Sequence, residues 1–209
     1  MKATSRGVMG ADLELCLDFT DSVDWRTSDH AEERLVSYEK LLEWSRKHDI
    51  LNVKQEVELT RSTSNQDSGK VLADARRLRE SVYRIFSAIA HNRRADAKDL
   101  AVLNEYLARG LAHFRVAEQE ESYGWNWSGK TLPDMMLYPI ASSAASLLTS
   151  DDLGRVRECA NEEEGCGSLF LDCSKSQTRR WCSMDSCGNR TKVRTYYDRH
   201  LRTKTGVST

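Results

Sequence analysis

Five of the six cysteines in this 209-residue chain fall between Cys159 and Cys187. Thiols concentrated in so short a span pair as disulfides or bind a metal. The start, MKATSRGVMGADLELCLDF, lacks the long apolar core of an export signal, and no run reaches the roughly 18 apolar residues of a membrane span. The expected location is the cytoplasm, where thiols stay reduced, and this favours metal. The spacing is Cys159-x6-Cys166, fifteen intervening residues, then Cys182-x4-Cys187. Two close pairs separated by enough chain to fold back are what tetrahedral Zn2+ requires of four thiolates. These spacings are looser than two CxxC pairs, and the alternative is a set of reduced structural thiols. Four protein ligands would close the coordination shell, making the ion structural and its binding part of the folding energy of a segment too small for its own core. Cys173 lies between the pairs without a partner at ligand spacing, and Cys16 sits in an apolar run as a small core residue.

The charges around these cysteines are uneven. The chain carries a net −1, but residues 1–154 hold 20 basic against 25 acidic residues, and residues 155–209 hold 11 against 7. Within 175–204 the balance is 9 to 2. A basic module on an acidic body points to a polyanion as partner, with a solvated charged helix as the plainer reading. Four thiolates around a divalent cation leave a net charge near −2, so some of these arginines are expected to serve the metal site. On a helical wheel of about 100° per residue starting at Arg190, an arc of Val193, Tyr196, Tyr197, His200 and Leu201 should pack against a hairpin. Arg190 and Arg194 lie beside that arc, and Lys192, Arg199 and Arg202 point away from it, where phosphate contacts are made. The candidate DNA-binding set is Arg179, Lys192, Arg194, Arg199 and Arg202.

The elements that must position these residues are read from periodicity. LELCLDFTDSV, residues 13–23, reads as a strand or the start of a buried segment. From Asp29, the spacing of Leu35, Tyr38, Leu41 and Leu42 gives a helix ending near His48, and a polar loop at 62–69 precedes a longer helix through Leu72, Leu78, Val82 and Ile89. Asp96 and Asp99 head another helix, which Gly110 ends. LAHFRVAEQ and SYGWNWSG read as a β-hairpin, and a last helix follows Pro133. The class is α+β: a mainly helical N-terminal domain over residues 1–153 with a small hairpin or sheet, then a treble-clef-like zinc module over 154–209. In that module CGSLFLDCS and the RRWC run are expected to form the hairpin.

The run CxxxxxxC…LFLDxS…RRWCSMxxCGNRxKVxxYYxR resembles the CGNR zinc finger, named for Cys187-Gly188-Asn189-Arg190. LCLDFTDSVDWR is similar to the opening of the ABATE domain, found with that finger in bacterial proteins described as candidate stress-induced transcription regulators. The two resemblances cover essentially the whole chain. They imply zinc on Cys159, Cys166, Cys182 and Cys187, and DNA as partner. The chain departs from the family in Asp21-Ser22, where Asn-Thr is usual, and in Cys173, where a Thr commonly follows LFLD.

The leading expectation is a DNA-binding transcription regulator whose N-terminal domain senses a small-molecule effector or mediates homodimerisation. A second reading is a small-molecule-binding protein or biosynthetic enzyme, with Asp18, Asp21 and Trp25, joined by Asp24, Trp125 and Trp127, converging on a pocket. The plainer roles are turn capping for the aspartates and packing for the tryptophans. No nucleophile–base pair or open metal position is legible, so no catalytic residue is assigned. A third reading is a zinc module that binds an acidic protein. His30, His48, His91 and His113 lack ligand spacing and read as ordinary histidines.

Overall fold

The computed structural model describes residues 12–119, 122–127 and 131–204, with side chains at 119, 125–127, 198, 199 and 201–204 outside the description. The segment expected as a strand is instead a short helix, α1 (Leu15–Thr20), with Leu15, Cys16, Leu17, Phe19 and Thr20 all buried. A six-residue helix with Asp18 alone exposed is too short and too enclosed to show a polar stripe, so its apolar run carries no helical period. Its backbone is tied to the far end of the body: Cys16 N–H donates to Ser143 Oγ at 3.0 Å.

After α1 the chain forms a two-residue ladder, β1 (Val23–Asp24) with β2 (Glu32–Glu33). The next helix, α2 (Tyr38–Lys47), starts later than the sequence suggested because Ser37, in extended conformation, accepts a hydrogen bond from Lys40 N–H and sets the N-terminus. A further helix, α3 (Val53–Ser62), opens on a reciprocal capping box between Asn52 and Gln55. Its one buried residue is Leu59, too little apolar surface for a periodicity reading to detect. The expected polar loop at 62–69 is mostly the first turn of α4 (Asn65–Ala90), capped by Ser64.

The spine of the body is α4. Val71, Ala75, Leu78, Val82, Ile85 and Phe86 form its buried stripe, with Arg79 buried among them. Burying a guanidinium is costly unless it is paired. Arg79 donates to both Glu33 oxygens at 2.7 Å, to Glu80 at 2.9 Å and to Ser22 Oγ at 3.1 Å. This fastens the β1–β2 turn to the spine.

The helices α5 (Ala97–Leu111) and α6 (Leu137–Leu148) complete the body, joined through the antiparallel hairpin β3 (Phe114–Gln119) and β4 (Ser122–Trp127). Gly110 does not end α5; Ala112 is the C-cap. A Cβ at Gly110 would stand 2.9 Å from Tyr138 Cβ, so glycine there lets α5 and α6 approach closely.

A 3-10 turn (Asp151–Arg155) leads into β5 (Val156–Glu158), which pairs antiparallel with β6 (Leu169–Leu171). The expected hairpin partner, RRWC, forms no strand. Strand alternation gives β6 two apolar faces. Leu169 and Leu171 join the main core with Val156, while Phe170 lies with Cys159, Cys166 and Cys187. At about 2 kcal/mol for each buried leucine, these residues anchor the metal module to the helical body. A π-type turn (Met184–Gly188) then leads into α7 (Asn189–Lys204). The knuckle at the tip of the β5–β6 hairpin, the second loop and α7 make up the treble-clef-like arrangement.

Candidate metal centre

Two loops converge to build the site. The first is the β5–β6 connection. Cys159 N–H donates to Ser168 O at 2.9 Å, closing the ladder, and the chain then turns through Asn161–Glu164, with Gly165 N–H donating to Glu162 O at 2.9 Å and Cys166 N–H to Asn161 O at 3.2 Å. This extra turn accounts for the six residues between Cys159 and Cys166. The second loop is positioned by Ala160 N–H donating to Arg180 O at 2.8 Å, and its turn is closed by Gly188 N–H donating to Ser183 O at 3.0 Å.

The four Sγ atoms of Cys159, Cys166, Cys182 and Cys187 all lie within 4.8 Å of one another. Cys166 to Cys187 is 3.5 Å, and Cys182 is 3.7 Å from each of them. Zn–S bonds of about 2.3 Å arranged tetrahedrally require S···S edges of about 3.8 Å, so these thiols fit zinc. Their acidities also fit a cation. Donation from the Cys166 and Cys182 thiols pulls Cys159 down to about 4, while its neighbours Cys159 and Cys166 hold Cys182 far above the ordinary thiol value. A thiolate at Cys159 is thus favoured, and a second one beside it at Cys182 is opposed. A divalent ion, by neutralising two of four thiolate charges, would remove that conflict. Cys182 N–H, 3.5 Å from Cys159 Sγ, offers a further donor to sulfur.

The remaining cysteines stand apart. Burial pushes the Cys16 thiol up to about 12, making it an inert core residue. Cys173 is exposed, 3.9 Å from Glu14. Among the described residues, no histidine joins the thiol cluster. His48, for example, stacks on Trp44 at 4.2 Å.

The arginines divide by what they meet. Arg179 donates to the carbonyl oxygens of Trp181 and Cys182, and its guanidinium lies 4.5 Å over the Phe170 ring, bracing the second ligand loop. Arg190 lies 3.5 Å from Glu164 and 4.8 Å over the Trp25 ring, and Arg194 lies 2.9 Å from Glu163. Asn189 donates to Asp185 O at 3.4 Å. At Gly188 a Cβ would meet Met184 Sδ at 2.4 Å, so the small residue allows close packing behind Cys187. Lys192 is exposed, and the side chains of Arg199 and Arg202 lie outside the described residues. The arc expected to pack on the hairpin does not: Val193, Tyr196 and Tyr197 are 56%, 59% and 61% exposed. Among the described residues of that arc, these three side chains stay largely open to solvent.

The three ligand-binding candidates meet different surroundings. Asp18 faces outward, 3.8 Å from His48. Asp21 lies under the metal knuckle, where burial and the nearby Asp18 raise its carboxyl to about 7 against the pull of hydrogen bonds from Ser168 and Leu169. Trp25, in a left-handed conformation at φ 51°, lines a recess with Arg190, Glu163 and Glu164. The side chains of Trp125 and Trp127 lie outside the described residues.

The sequence reading missed how the knuckle is held. Thr27 N–H donates to Gly165 O at 3.0 Å and Arg26 N–H to Cys166 O at 3.3 Å, so backbone from the N-terminal body grips the first ligand pair. Next to Cys159, the Glu158 carboxylate accepts from Tyr83 at 3.1 Å and from Ser87 at 2.7 Å, both on α4. The glycines flanking Cys166 were the available signal, since both adopt positive φ.

A family model described as "Putative stress-induced transcription regulator", ABATE, matches residues 13–151. The chain belongs to the ABATE family. A second model, the CGNR zinc finger, matches residues 155–200 and takes in all four clustered cysteines. The ABATE segment thus supplies the helical body and the Trp25–Ser28 turn, and the CGNR finger supplies the thiols and α7. No curated protein matches the chain significantly. Among the described residues, no helix is long and apolar enough to cross a membrane.

Proposed function

We propose that this ABATE-family protein is a cytoplasmic transcription regulator that binds DNA through its CGNR finger, with zinc holding the finger's fold. The carrying observation is that α7 leaves the zinc loop as a 16-residue helix with an exposed Lys192, at the end of a segment whose charge balance is 9 basic to 2 acidic residues. Lys192, Arg199 and Arg202 are the phosphate contacts in this reading. Arg179 and Arg194, with partners inside the molecule, act mainly by holding the finger's shape. The ABATE body is the sensory or dimerising part, and its grip on the knuckle is a route by which an effector bound there would reach the finger.

The test is affinity for a mixed-sequence duplex at two salt concentrations. Wild-type binding should weaken as salt rises, and the slope of log K against log salt should fall by about 0.9 for each phosphate contact removed in Lys192→Gln, Arg199→Gln and Arg202→Gln. Absent or salt-insensitive binding would refute it.

A further inference from the structure

The two sides of α7 differ in what their charges meet. Arg190 and Arg194 are answered within the finger by Glu164 and Glu163. On the other side, α7 and the segment carrying Arg180 and Trp181 enclose a groove of about 600 Å3, lined by Arg180, Trp181, Lys192, Thr195, Tyr196 and His200. Arg180 and Lys192 are both exposed, and neither has a carboxylate partner among the described residues. The Arg180 guanidinium lies 5.5 Å over the Trp181 ring. The Tyr196 and His200 rings meet at a tilt of 32° with centroids 3.9 Å apart, yet Tyr196 remains 59% exposed.

Two cations without a carboxylate partner beside the largely exposed Tyr196 ring match the two parts of a nucleotide, an anionic phosphate and a flat base. In a closed duplex the base faces are covered by their neighbours, whereas an unstacked base presents its face to a ring. An acidic peptide would answer the cations but leave the Tyr196 ring uncovered. We propose that this groove seats single-stranded DNA, a phosphate lying between Arg180 and Lys192 and a base stacking on Tyr196 against the Trp181 wall. The proposal rests on the DNA-binding reading above and assigns that activity a specific face, which excludes Arg190 and Arg194. Helical spacing places position 199 on the same side, seven residues after Lys192 and four after Thr195. Thr195 donates to Thr191 O at 2.8 Å, so its hydroxyl oxygen is left as an acceptor toward the groove.

The experiment uses the zinc-loaded full chain with two labelled probes, an oligothymidylate of about 15 nucleotides and a mixed duplex of equal length. The variants are Tyr196→Ala, the double variant Arg180→Gln/Lys192→Gln, and, as a charge control on α3, Lys54→Gln, all at exposed positions, with zinc content and far-UV circular dichroism confirming the fold. The wild type should bind the oligothymidylate. Tyr196→Ala should weaken it by roughly 5- to 100-fold, the span of one lost base stack. The double variant should weaken it and flatten its salt dependence, while Lys54→Gln should leave it within about twofold. Unchanged affinity in a folded Tyr196→Ala, or binding of the duplex without the oligothymidylate, would overturn the groove and leave the regulator reading standing. Binding of neither probe would remove both.

Discussion

Replacing Gly165 by alanine tests whether the zinc knuckle and the ABATE body are one structural unit. Gly165 has φ 66°, and a Cβ built there falls 2.5 Å from Ser28 N and 2.7 Å from Ser28 Cα. Backbone atoms cannot rotate away as a side chain would, so the knuckle must lift by about 1 Å to restore van der Waals separation. The left-handed conformation alone costs an alanine about 1 kcal/mol. Lifting the knuckle sacrifices the bonds from Thr27 N–H to Gly165 O and from Arg26 N–H to Cys166 O, each worth about 1 kcal/mol net. Gly165→Ala should therefore destabilise the zinc-loaded protein by about 3 kcal/mol, roughly a hundredfold in the folding equilibrium. The assay is urea denaturation together with the rate of zinc release to a chelator, and both should shift. Gly69→Ala is the control. Gly69 sits inside α4 with nothing within 4 Å of a Cβ, so that change should stabilise by about 0.5–1 kcal/mol. A Gly165→Ala protein with wild-type denaturation midpoint and zinc release would refute the coupling.

Other consequences follow from individual contacts. Arg79→Met removes the buried guanidinium between Glu33 and Glu80 and should cost about 3 kcal/mol, read as a lower urea midpoint. The hydrogen bond from Arg84 holds the buried Asp99 carboxyl below its ordinary value, so its stabilisation is present above about pH 4 and is lost as pH falls through the folded-state value. Asp99→Asn should therefore cost about 2 kcal/mol at pH 7, and the gap to wild type should narrow under acid in urea titrations at both pH values. Cys173→Ser should keep the wild-type zinc content, whereas Cys182→Ser should lose zinc to a competing chelator and destabilise the finger.

What the sequence revealed depended on whether a segment advertises its surroundings. The buried stripe of α4, the acidic start of α5 and the alternation of β3 and β4 are recorded in residue types, and they were legible. Burial around nearly all of α1 erased its period, and α3, with Leu59 alone buried, had no stripe; its Asn52–Gln55 capping box was the overlooked mark. The thiol quartet was readable because zinc chemistry restricts ligand types and spacing. The packing face assigned to α7 failed because an amphipathic wheel presumes a partner for its apolar arc, and Tyr196 and Tyr197 have none within the described chain. The grip of Arg26 and Thr27 on the knuckle runs through backbone atoms, which no residue type records.

The most direct test of the metal centre is zinc K-edge X-ray absorption on the full chain. One zinc per chain with four sulfur neighbours at about 2.3 Å is expected, and it should disappear in Cys182→Ser. A shell containing nitrogen or oxygen, or a folded wild-type chain that takes up no zinc, would contradict the four-thiolate site.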